Sequence, residues 1–69
     1  MPKKIRELKS LLRRAGWLLV HGAGKGSHTK WDHPKVSRRI ILSGNDGDDA
    51  DRYQEREVEK AVRDAKKGQ

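Results

Sequence analysis

The sequence predicts an α+β fold of order α-β-β-β-α, in which a three-stranded antiparallel sheet carries both helices on one face. Three observations lead there. A helical apolar stripe opens the chain, three short strand-like runs separated by turn residues fill its middle, and a second helical stripe closes it. With 69 residues, one domain spanning 1–69 with a modest core is expected.

Ile5, Leu8, Leu11, Leu12 and Ala15 share one stripe of a helix expected over Pro2 to Ala15. Pro2 suits a first turn, where its missing N–H has no bond to lose. Gly16 stands where a left-handed cap closes a helix, and Arg13 and Arg14 meet the negative end of the dipole. The far face, with Lys3, Lys4, Arg6, Lys9 and Arg13, is solvated. Trp17 to Val20 is a dense apolar run suited to a strand, and Gly22 to Gly26 reads as a tight turn. From Ser27 to His33 the residues alternate. Ser27, Thr29, Trp31 and His33 point one way, and His28, Lys30 and Asp32 the other. Trp31 belongs to the core, so the His28 face is the exposed one. Trp17 is likewise assigned to the core.

Pro34, with no N–H for the ladder, ends this strand. Arg38 to Ser43, rich in β-branched residues, is the third. Gly44 to Asp51 holds four aspartates and two glycines and reads as a solvated, helix-capping loop, able to fold back on a basic patch. Its spacing does not fit a calcium-binding loop. Val58, Ala61, Val62 and Ala65 mark a second helix over Tyr53 to Lys66, with Asp51 and Gln54 placed to cap it. The two helices bury their stripes against one sheet face and leave the other wet. Double-stranded-RNA-binding domains share this architecture, although fold alone licenses no function.

Charge narrows the partners. The net charge is +7, with 17 Lys and Arg against 10 Asp and Glu. It is uneven: residues 1–20 carry +5, residues 21–43 carry +4, and residues 44–69 carry −2. A basic first two-thirds suits a polyanion, because Lys and Arg neutralise phosphates and release counterions. There is no cysteine, which excludes disulfides and thiolate metal sites. No apolar run reaches the roughly 18 residues of a membrane span, and the spaced apolar residues of the N-terminus do not make a signal peptide. A cytoplasmic location is the expectation.

Of the three histidines, His28 has the position for chemistry. It follows the glycine-rich turn, faces solvent, and has Lys25 and Lys30 close by. An imidazole there can act as acid or base near neutral pH. In RNA cleavage it would take the 2′-hydroxyl proton or protonate the leaving 5′-oxygen. Lys30 and Lys25 would hold the scissile phosphate. DNA, lacking the internal nucleophile, would be spared. His33 is expected to be a structural hydrogen-bonding residue, although it, Lys30 or water could serve as the second proton carrier. Asp32 and His33 are adjacent and project to opposite faces, so no metal site is expected with His28. No cofactor is implied.

Gly16-Trp17, Gly26-Ser27-His28, Trp31 and His33-Pro34 together resemble the HicA family of toxin–antitoxin toxins. The likeness is close over residues 5–34 and covers the rest in outline. It implies a double-stranded-RNA-binding-like fold, ribosome-independent cleavage of mRNA with inhibition of translation, and neutralisation by a HicB-type antitoxin covering the active surface. The family's active histidine maps to His28. Gly26 would let RNA approach the backbone, and Ser27 completes the motif. The chain departs after the third strand, where Ser43 leads into the acid-rich loop and Tyr53-Gln54-Glu55. Two rival functions share these features: a non-catalytic RNA-binding module, and a basic adaptor for an acidic protein.

Overall fold

A computed structural model of the chain describes residues 3–20 and 28–67. The elements are α1 (Ile5–Arg14), β1 (Leu18–Leu19), β2 (Thr29–His33), β3 (Val36–Leu42) and α2 (Arg52–Lys67). The strands form an antiparallel sheet in the order β1-β2-β3, as the sequence predicts. Leu18 pairs with Asp32 and Leu19 with Trp31. Thr29 pairs with Leu42, Lys30 with Ile41, Trp31 with Ile40, and His33 with Val36.

Parity sorts the faces. Trp31, His33, Ile40 and Leu42 are buried inward beneath the helices, with Ile5, Leu8 and Leu12 of α1, Trp17, and Val58, Ala61 and Ala65 of α2. The indole N–H of Trp17 donates to the Ala61 carbonyl of α2, at 3.2 Å. Trp31 gives its indole proton to Thr29 Oγ1 and lies 5.4 Å from the Arg13 guanidinium. On the outward face Leu18 and Ile41 are exposed.

α1 ends in a Schellman turn. Trp17 N donates to Leu12 O and Gly16 N to Arg13 O, with Gly16 at φ +92°. Its start differs from expectation: the helix begins at Ile5 rather than Pro2. Lys4 is extended and forms a bridge with Asp49, and the Lys3 carbonyl accepts from Ala50 N. The acid-rich loop thus claims residues that local propensity would have made helical. It also supplies the caps, because Ile5 N donates to Asp48 O and Arg6 N to Asp46 O.

The strands shift slightly too. β3 starts at Val36 rather than Arg38, since Pro34-Lys35 makes a two-residue turn that lets Val36 pair with His33. β1 is shorter than the apolar run, although Val20 N still donates to Lys30 O. α2 begins at Arg52, with Asp51 Oδ1 accepting from Gln54 N at 2.8 Å, the cap the sequence predicts. No helix among the described residues is long and apolar enough to cross a membrane.

Candidate functional site

Strand parity, anchored by buried Trp31, sends His28, Lys30 and Asp32 to the outward face. His28 is exposed, immediately before β2, and Lys30 lies two residues on along the same face. The Thr29–Leu42 pairing sets Ser43 across from His28, and Ser43 Oγ lies 3.1 Å from His28 Nδ1. Ser43 is itself held. Its backbone N–H donates to Gln54 Oε1 at 2.8 Å, and Gln54 is the residue whose own N–H the Asp51 carboxylate caps. A short chain of bonds therefore links the imidazole to the first turn of α2.

Sequence reasoning placed Ser43 at the end of the third strand and Gln54 in the cap of the second helix, but missed their link to His28, which depends on the β2–β3 register that composition does not reveal. Lys25, Gly26 and Ser27, the other residues expected to meet RNA, lie outside the described residues, as does His21.

His33 occupies a different world from His28. It is 8% exposed on the inward face. Its Nδ1 accepts from Lys35 N at 3.0 Å, and its Nε2 meets the Ala15 carbonyl at 3.1 Å. The Trp17 ring lies edge-on, 5.4 Å between centroids. The structural role expected for His33 holds. Both ring nitrogens are engaged on the inward side of the sheet, opposite His28.

Farther along the outward face, Asp32 and Arg39 pair with each other at 2.7 Å. With Leu18, Pro34, Val36 and Ser37 they border an open depression of about 610 Å³. The charged groups at its border, Asp32 and Arg39, are spent on one another. Among the described residues, no group of three potential ligands could hold a metal ion.

The acid-rich loop lies against α1. Asp46 pairs with Lys9 and Asp49 with Lys4. The Lys9 hydrogen bond and charge, aided by Arg13 and Arg6, hold the Asp46 carboxyl below its usual value. On the inward side, Arg38 of β3 reaches Glu57 at 3.1 Å and Asp64 at 3.4 Å, tying α2 to the sheet.

The model of the family described as HicA toxin of bacterial toxin–antitoxin matches residues 5–66. No curated protein and no solved structure matches the chain significantly.

Proposed function

The chain belongs to the HicA toxin family, and from that premise we propose that it is an endoribonuclease that cleaves mRNA in the cytoplasm and stops translation until a HicB-type antitoxin covers it. One observation carries the reading. His28 stands exposed on the outward face of the sheet with one ring nitrogen beside Ser43 Oγ, and the other bonds to no described residue.

In this reaction His28 takes the proton of the 2′-hydroxyl, and the 2′-oxygen forms a bond to phosphorus. The P–O5′ bond breaks, its electron pair leaves on the 5′-oxygen, and that oxygen takes a proton from solvent or from the imidazolium. Lys30, on the same face, offsets charge on the phosphate. Lys25, Gly26 and Ser27 complete the contact with RNA. The basic residues of α1 attract RNA from a distance. The antitoxin would act by covering this face.

Induction of the wild-type chain beside His28→Ala, with growth and total mRNA integrity followed, tests the proposal. Arrest and mRNA fragmentation with the wild type alone support it. If both folded chains are harmless, or both fragment mRNA equally, it is wrong. A purified RNA bearing a single 2′-deoxy substitution at the cut site should resist cleavage there.

A further inference from the structure

Building on the ribonuclease reading, we propose that Ser43 is the positioning residue for His28. Its hydroxyl accepts the Nδ1 proton and so leaves the Nε2 lone pair to face the substrate. A neutral imidazole carries one ring proton, and only the nitrogen without it can act as a base. The partner of the other nitrogen decides which is which. At His28 that partner is the Ser43 hydroxyl, 3.1 Å from Nδ1; a hydroxyl can donate or accept there, and the direction assigned is Nδ1–H to Oγ.

A hydroxyl accepting from Nδ1 serves both working states. Nδ1–H donates to Oγ while Nε2 is the base, and it still donates after Nε2 has taken the proton. A serine, unlike a carboxylate, adds no negative charge beside the incoming phosphate. Its own O–H remains free to turn toward solvent.

The serine is fixed well enough for this duty. Its N–H is bound by Gln54 Oε1, and Gln54 is anchored at the start of the 16-residue helix α2 by Asp51. Because His28 and Ser43 are both exposed, their bond does little for stability. Its effect is directional: it fixes where the imidazole points and which nitrogen is free.

Ring ¹⁵N spectra of His28 in wild type, Ser43→Ala and Ser43→Thr test the contact without any substrate. At a pH where the ring is neutral, the Nδ1–H form should be populated in the wild type and in the threonine variant. It should give way to Nε2–H in the alanine variant. In parallel, RNA cleavage by Ser43→Ala should lose about 10- to 100-fold in kcat with little change in KM, and threonine should restore most of it. A wild-type ring already in the Nε2–H form, or unchanged by Ser43→Ala, overturns the proposal. So does an alanine variant that cleaves as fast as wild type. If the wild-type chain cleaves no RNA, the ribonuclease reading falls by itself, and the spectra still decide the Ser43 contact.

Discussion

Replacing His33 and His28 separately by alanine should divide stability from function between two histidines five residues apart. At position 33 the loss comprises the Nε2 contact to the Ala15 carbonyl, the bond from Lys35 N, and the edge-on packing with Trp17. Each hydrogen bond contributes about 0.5–1.5 kcal/mol net. An aromatic pair of this geometry adds about 0.5–1.5 kcal/mol. His33→Ala should therefore cost about 1.5–4.5 kcal/mol, a large part of what so small a core can supply. At position 28 the side chain is exposed and makes one exposed hydrogen bond, so the change should stay within about 0.5 kcal/mol.

Urea unfolding followed by tryptophan fluorescence reads these values, since Trp17 and Trp31 are both buried. RNA cleavage, normalised to the folded fraction, reads the other axis. His33→Ala should retain activity per folded molecule, whereas His28→Ala should unfold like wild type and cleave nothing. The reverse pattern, with a stable but inactive His33→Ala, would refute the placement of the chemistry on the outward face.

Three further outcomes follow from the same geometry. Gly16→Ala should destabilise by about 1–2 kcal/mol, because φ is +92° and a Cβ would come 3.1 Å from His33 Nε2; an unchanged denaturation midpoint would contradict the Schellman ending of α1. Arg38→Ala should cost about 1–2 kcal/mol, between exposed and buried ion pairs, since Glu57 and Asp64 lose their shared cation; a double-mutant cycle with Glu57→Gln should show coupling, and strict additivity would count against the contact. The Asp46 carboxyl is held below its usual 3.8 in the folded chain, so its contribution is complete above that value and drains as pH falls through the lowered one. The stability gap between wild type and Asp46→Asn should be constant near neutrality and close in acid; a gap that grows on acidification would show that Lys9 is not its partner.

The fold was legible because two periodicities were unambiguous. Ile5, Leu8 and Leu12 kept a helical stripe, and the alternation around Trp31 placed His28 and His33 on opposite faces. Arg38 was legible only as the start of a strand; the structure places it on the face of Ile40 and Leu42, where Glu57 and Asp64 meet it. What stayed hidden was non-local. No local pattern near Lys4 announces that backbone more than 40 residues away will cap the next turn. Nor can residues 28 and 43 be matched before the hairpin register is known. The acid-rich loop, a solvated connector by composition, is also the N-terminal cap of α1.

That loop alters what the net charge means. Residues 1–20 carry +5, yet Lys4 and Lys9 are paired with Asp49 and Asp46. In the sheet, Arg38 and Arg39 are engaged by Glu57, Asp64 and Asp32. An approaching polyanion still senses the sum, because a paired cation and anion cancel only each other at a distance. On contact the count changes, since a phosphate must displace a carboxylate before it can use a paired cation. Counterion release therefore depends on the unpaired cations, and the salt dependence of RNA binding should be shallower than the chain's 17 basic residues would imply. On the outward face Lys30 makes no ion pair with any described residue, and it stands two positions from His28. Long-range attraction is spread over the molecule, and Lys30 is one of the unpaired cations that contact can use directly.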